Sequence, residues 1–220
     1  MRLIASYIDH TVLKPDAVSG NIKQLCDEAI KYQFHSVCVN PAWVKFAKDY
    51  MEKNAIKITT VIGFPLGANT SFIKEKEAEQ ALNEGADELD MVINIGWLKN
   101  GQTLLVENEI KSIKKIAGNK TLKVIVETCL LTAQEKELSV SLVINGGADF
   151  IKTSTGFSSG GAVLEDIELF RKLAGNKLKI KASGGIKNLE TFIKMVDAGA
   201  GRIGTSSSVK ILKESYGPTF

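Results

Sequence analysis

The chain has 220 residues, 44% of them apolar, enough for a sizeable core in one α/β domain spanning residues 1–220. Its 28 basic and 25 acidic residues leave a net charge of +3 spread along the whole length, which argues against a nucleic-acid-binding stripe. Cys26, Cys38 and Cys129 form no C-x-x-C pair, so neither a disulfide framework nor structural zinc is expected, and a reducing cytoplasm is the natural setting. The opening MRLIASYIDHT lacks the apolar stretch of a signal peptide, and no later run is long enough for a bilayer, so no membrane partner is expected.

Short β-branched runs alternate with helical patterns in units of roughly 25 to 30 residues. The strand candidates in order are YIDH (7–10), VCVN (37–40), IKITTVI (56–62), ELDMVI (88–93), LKVIVET (122–128), FIKTS (150–154), LKIKAS (178–183) and RIG (202–204). Between them run amphipathic stretches such as NIKQLCDEAIKY, AEQALNEGA, VENEIKSIKKIAG and LEDIELFRKLAG, several ending at a glycine. Repeated βα units build either an open doubly wound sheet or a closed barrel. The count of eight favours the (β/α)8 TIM barrel. Pro15, Pro41, Pro65 and Pro218 fall at apparent loops, and no linker interrupts the chain.

Strands covered on both faces normally read as continuous Val, Ile and Leu. Three candidates here do not. In ELDMVI, Leu89, Met91 and Ile93 share one face and leave Asp90 on the other with Glu88 and Val92. Lys152 shares a face with Phe150, and Lys181 with Lys179, while Ile180 points the other way. The apolar sets are expected against helices and the ionisable sets inside the barrel, where a lysine costs several kcal/mol unless it is paired or loses its charge.

Lys152 and Lys181 fall near the ends of neighbouring strands about 4.8 Å apart, so two ammonium groups are expected to share one pocket. A second positive charge and a low dielectric both push a lysine pKa down. At pH 7 an ordinary lysine is neutral only about once in 2,500, so lowering its pKa by about 3 raises the amine fraction roughly a thousandfold. A neutral amine attacks carbonyls. The bland alternative is that each lysine is merely ion-paired, with Asp90 or Glu127 as partner. Lys179, deeper in its strand, is expected to reach solvent at the opposite end.

Three small-residue loops follow the last three strands: TSTG (153–156), SGG (183–185) and GTSSS (204–208). Backbone N–H groups there can approach an anion, and a helix starting near Ser207 would aim its dipole at a phosphate, although serine N-capping explains GTSSS alone equally well. GAGRIG (199–204) matches G-x-G-x-x-G, but it precedes a strand instead of opening a helix, so dinucleotide binding is not expected. His10 and His35 suggest neither a metal site nor a triad. His10 either borders the pocket or makes a structural hydrogen bond, and Cys38 reads as a buried small hydrophobe.

At FIKTSTGF, KASGGI, DELDMVIN and GTSS, and through YIDHTVLKPDA, SVCVNPAWV, VIGFPLGA and LKVIVET in matching order, the chain resembles the deoxyribose-phosphate aldolases. The resemblance implies a TIM barrel that reversibly cleaves 2-deoxy-D-ribose 5-phosphate to D-glyceraldehyde 3-phosphate and acetaldehyde in deoxynucleoside catabolism. It places the Schiff-base lysine on Lys152, a lysine that perturbs it and moves protons on Lys181, and their relay carboxylate on Asp90. It places the phosphate loops on Gly156, Ser183, Gly184, Gly185, Gly204, Thr205 and Ser206, with Ser207 close by, and the contacts to substrate hydroxyls on Asp9, Thr11 and Thr155. The ending SYGPTF departs from relatives whose flexible tail carries a tyrosine, so Tyr216 is not counted as catalytic.

The mechanism so implied has Lys152 add to the C1 aldehyde, and the resulting iminium serve as electron sink, so neither metal nor organic cofactor is needed. A water near Asp90 and Lys181 is the candidate base for the C3 hydroxyl. The partners expected are a sugar phosphate and aldehydes, with no nucleic acid, and a homodimer by association with relatives. Two rivals stand: an aldolase or isomerase for another sugar phosphate, and a noncatalytic phosphate or nucleic-acid binder. Aromatics at 7% without a basic patch weigh against the second.

Overall fold

Eight parallel strands close on themselves in chain order. The computed structural model describes residues 2–216, so Pro218 lies outside the described residues. The strands are β1 (Ile8–Val12), β2 (Ser36–Val39), β3 (Lys57–Ile62), β4 (Glu88–Val92), β5 (Thr121–Ile125), β6 (Phe150–Lys152), β7 (Lys179–Ser183) and β8 (Arg202–Thr205). Each pairs with the next, and β8 returns to β1 through Ile8↔Ile203 and Asp9↔Gly204, which decides for the barrel over the open sheet.

The helices are α1 (Arg2–Ala5), α2 (Ser19–Tyr32), α3 (Val44–Tyr50), α4 (Ser71–Asn83), α5 (Ile95–Lys99), α6 (Thr103–Ala117), α7 (Ala133–Asn145), α8 (Leu164–Ala174), α9 (Leu189–Asp197) and α10 (Ser208–Glu214). Their ends follow local chemistry. Thr132 and Glu135 form a reciprocal capping box at the start of α7, with Glu135 Oε2 accepting from the Thr132 N–H at 2.8 Å. Gly118 and Gly175 end α6 and α8 with φ of 55° in both cases, a backbone that favours glycine.

Alternation along each strand sorts the side chains. Ile8, Val37, Val39, Ile58, Leu89, Met91, Val124, Ile151, Ile180 and Ile203 face outward and are buried against the helices. Each such side chain contributes about 1.5–3 kcal/mol. The inward positions carry Asp9, Glu88, Asp90, Lys123, Lys152, Lys181 and Arg202, all buried. Barrel interiors are usually filled by layers of branched apolar residues. Here an ion network takes that place, with a small apolar cluster of Leu13, Cys38 and Val61 beside Phe64.

β2 and β4 end one residue before their predicted limits, and two strands end earlier still. β6 stops at Lys152, and β5 stops at Ile125 because Glu127 takes a left-handed backbone (φ 56°, ψ 66°) and the chain turns into a 3-10 segment, Thr128–Leu130.

Candidate active site

The strand register places Lys152 beside Lys181 and Asp90 beside Lys123. All four side chains enter the barrel because each alternates with an outward-facing hydrophobe. Asp90 is the hub. Its Oδ2 accepts from Lys152 Nζ at 2.8 Å and Lys181 Nζ at 2.7 Å, and its Oδ1 accepts from Lys123 Nζ at 2.8 Å. Lys181 also donates to Asp9 Oδ2. Asp9 Oδ1 accepts from Ser36 Oγ at 2.6 Å and Arg202 Nη1 at 2.9 Å. Glu88 closes the lower layer, pairing with Lys123 at 2.6 Å and Arg202 at 3.3 Å.

Burial and charge set the three lysines apart. Burial lowers the pKa of Lys152, Asp90 pulls the other way, and Lys181 lowers it further, so the net direction is down. Burial opposes the charge on Lys181 too, but Asp9 and Asp90 together overcome it and hold the ammonium well above its ordinary range. Lys123 is likewise raised: burial is outweighed by Asp90, Asp9 and Glu88 despite repulsion from Lys181. Burial alone would raise Asp9 and Asp90, yet the surrounding lysines, joined by Arg202 at Asp9, hold both carboxyls well below the usual range. Of the two lysines expected to share the pocket, only Lys152 is therefore shifted down.

Lys152 is also the lysine of this network that reaches open space. A cavity of about 420 Å³ opens at the carboxyl ends of the strands. Lys152 lines it with Thr11, Thr155 and Gly156, with Ser183, Gly184 and Gly185, and with Gly204, Thr205 and Ser206. Lys181 and Asp90 lie directly beneath Lys152, fully buried, so the shared pocket expected for the two lysines is a stack with one member facing the cavity.

Two other predicted residues are not among those lining the cavity. Asp9, expected at substrate hydroxyls, is fully buried one layer down, its oxygens occupied by Lys181, Ser36 and Arg202. Ser207 precedes α10 but makes no side-chain cap bond and is not among the cavity residues; its N–H donates to Thr205 Oγ1 at 2.9 Å. α10, which follows, is only seven residues long.

Those loops are held backbone to backbone. Ala162 N–H donates to Ser183 O at 3.0 Å and to Gly184 O at 3.1 Å, which locks the segment after β6 against the one after β7. Gly184 has φ 84°, and a Cβ there would come within 2.9 Å of Gly161 Cα, so both conformation and space call for glycine.

His10 takes its structural option: Nδ1 bonds Ser208 Oγ and Nε2 bonds Glu28 Oε2, both at 2.8 Å. Cys38 is fully buried, and burial pushes its thiol pKa up. Lys179 is exposed at the opposite end of the barrel, as its depth in the strand implied.

Sequence reasoning missed Lys123 and Arg202 in the network, and Lys14, Phe157 and Lys187 at the cavity. The alternation rule applied to LKVIVET and RIG marks the first two, since Lys123 opposes Leu122 and Val124, and Arg202 opposes Ile203. It also missed the task of Glu127. That residue does not pair with the lysines but accepts from the Thr155 N–H at 3.3 Å and from its hydroxyl.

The model of the DeoC/LacD family aldolases matches residues 3–214. A deoxyribose-phosphate aldolase of Coprothermobacter proteolyticus is 53% identical over 207 residues, covering 94% of each chain. Among solved structures, one described as "QR15, an Aldolase" superposes with a TM-score of 0.94 at 42% identity, covering 98% of this chain and 97% of that one. The deoxyribose phosphate aldolase of Aeropyrum pernix, described as having a unique tetrameric structure, gives a TM-score of 0.92 at 34% identity, covering 97% of this chain and 91% of that one.

Proposed function

This chain belongs to the DeoC/LacD family of aldolases and is an aldehyde-lyase that cleaves 2-deoxyribose 5-phosphate, and we propose that it does so through an imine on Lys152. The observation that carries this assignment is that Lys152 alone in the buried network combines access to the cavity with a pKa below the ordinary lysine range.

The neutral Lys152 amine adds to C1 of the open-chain sugar and forms a carbinolamine. Lys181, kept charged by two carboxylates, is the proton donor that lets the hydroxyl leave as water, and Asp90 relays the proton because it touches both amines. The iminium accepts the electron pair of the C2–C3 bond. As that bond breaks, the C3 hydroxyl gives its proton to a base, and C3 becomes the aldehyde of glyceraldehyde 3-phosphate. Asp90 is held too acidic to keep that proton, so the step proposed is a water passing it to the Lys181 amine, which is neutral after its proton left with the departing hydroxyl. Protonation of the enamine at C2 and hydrolysis release acetaldehyde and return the amine. The iminium is the electron sink throughout, and the scheme calls on no cofactor.

The phosphate is assigned to the loops at Gly156, Ser183 to Gly185 and Gly204 to Ser206, where glycines admit backbone N–H groups to an oxyanion. Thr11 and Thr155 at the cavity wall are the residues proposed for the substrate hydroxyls. One domain over residues 1–220 and a cytoplasmic site of action in deoxynucleoside catabolism complete the reading. Support for the cytoplasm is three free cysteines and, among the described residues, no helix long and apolar enough to cross a membrane. A homodimer is the assembly proposed, with the tetrameric Aeropyrum relative as precedent for self-association.

Borohydride reduction in the presence of acetaldehyde, followed by peptide mapping, tests the assignment. The adduct belongs on Lys152; an adduct elsewhere, or none, defeats it. Turnover of deoxyribose 5-phosphate against ribose 5-phosphate checks the substrate.

A further inference from the structure

The amino-terminal end of the barrel holds a second cavity, of about 530 Å³, on the side away from Lys152. Its wall includes the first residues of three successive strands, Phe150, Lys179 and Arg202, together with Tyr7 before β1 and Arg171 near the end of α8. Three of its lining side chains are cationic and none is a carboxylate. In barrels of this kind the amino-terminal face ordinarily serves stability. Like charges lining one cavity repel one another, and an anion placed among them relieves that repulsion.

Two of the three, Arg171 and Lys179, have no carboxylate partner among the described residues: Arg171 donates to Gly175 O at 3.0 Å, and Lys179 lies over the Phe150 ring at 5.6 Å. Arg202 is different because its side chain is only 9% exposed. Its Nη1 reaches inward to Asp9 and Glu88, while its Nε is buried without an acceptor, an uncommon state for a guanidinium donor. Its guanidinium carbon sits 5.6 Å from the same Phe150 ring. At Gly199 a Cβ would come within 3.1 Å of Arg171 Cγ and Cδ, so glycine there leaves room for the arginine stem in the cavity wall.

We infer that this cavity is an anion site, built by Arg171, Lys179 and Arg202 for a phosphate dianion, either free or as a small phosphomonoester. Planar guanidinium groups offer paired donors to a tetrahedral oxyanion, and the lysine adds a mobile third charge. Phe150 and Tyr7 give the cavity an apolar wall against which the organic part of an ester can lie.

Amide NMR with inorganic phosphate as the probe tests this, since it reads the two ends of the barrel separately. The amides of Asn176, Gly199 and Gly201 are expected to shift and saturate with phosphate up to about 10 mM. Arg171→Ala/Lys179→Ala is expected to weaken that response at least tenfold and to keep wild-type turnover. A parallel titration with ribose 5-phosphate separates the sources: tighter saturation at the same amides identifies the monoester, and a response to inorganic phosphate alone identifies the free ion. The inference is overturned if those amides stay fixed, if sodium chloride at equal ionic strength moves them equally, or if the double variant responds like wild type. Because both substituted side chains are exposed, the variant's fold is checked directly from its remaining amide spectrum.

Discussion

Lys152 and Lys181 donate to the same atom, Asp90 Oδ2, from 2.8 and 2.7 Å. The shared oxygen divides their fates. Lys181 has a second carboxylate in Asp9 and keeps its proton, whereas Lys152 has only its share of Asp90 and is further repelled by its neighbour.

Replacing Lys181 by Met removes that repulsion and frees Asp90 to pull harder on Lys152. The pKa of Lys152 then rises, so its amine is lost at higher pH than in the wild type. The acid limb of kcat/KM, and of borohydride trapping, moves to higher pH, alongside a lower maximal rate from the missing proton donor. A limb that stays in place or moves toward lower pH would show that Lys181 does not tune the nucleophile.

Asp90→Asn leaves three buried lysines around a neutral amide. Breaking a buried ion pair from one side costs about 3–5 kcal/mol. For a chain of this size that corresponds to a fall in thermal midpoint on the order of 10 °C. Calorimetry at pH 7 checks it. A midpoint within a degree or two of the wild type would mean that the lysines had simply lost their protons.

Asp9, Glu88 and Asp90 are held well below their ordinary values of 3.8, 4.5 and 3.8. The unfolded chain therefore takes up protons first as the solution is acidified. The stability supplied by these carboxylates is fully present above about pH 5 and drains away as pH falls through and below 4. Urea midpoints at pH 7, 5, 4 and 3 should decline along that course, and a flat profile between pH 5 and 3 would contradict the network's charge state.

Gly204 sits on β8 against Lys181: a Cβ there would lie 3.0 Å from Lys181 Cε and 3.1 Å from Ser183 Cβ. Gly204→Ala is expected to displace the ammonium and lower kcat at least tenfold with a fold that remains intact by circular dichroism. Retained kcat with a raised KM would assign Gly204 to the phosphate alone.

Glu127→Ala releases Thr155 from its carboxylate grip. Hydrogen bonds to a charged group are worth about 1.5–3 kcal/mol, so KM for deoxyribose 5-phosphate should rise roughly ten- to a hundredfold. Lys152 does not touch Glu127, so the yield of the acetaldehyde adduct should hardly change.

The barrel was legible because βα rhythm and strand number are local properties of sequence. So were Lys152, Lys181 and Asp90, since a charge in an otherwise apolar strand declares itself. Depth was not legible. Whether Asp9 meets substrate or braces Lys181 depends on how far each strand is staggered, which the spacing of residues along one strand does not contain. Glu127 was obscured for a related reason: its position reads as strand, whereas its backbone is left-handed and its carboxylate meets Thr155 from a loop distant in sequence.

The ring closes between the first strand and the last two, and there Asp9 meets Lys181 and Arg202, partners 172 and 193 residues away in sequence. Long-range pairings of this kind form late, after their loop-closure entropy has been met. Before β8 joins, the barrel would lack Arg202 at Asp9 and the crowding of Gly204 against Lys181, so the proton donor beneath the amine would not yet be braced. During refolding from urea, the return of imine-forming competence would then serve as a clock for the final seam, lagging behind the recovery of helical signal.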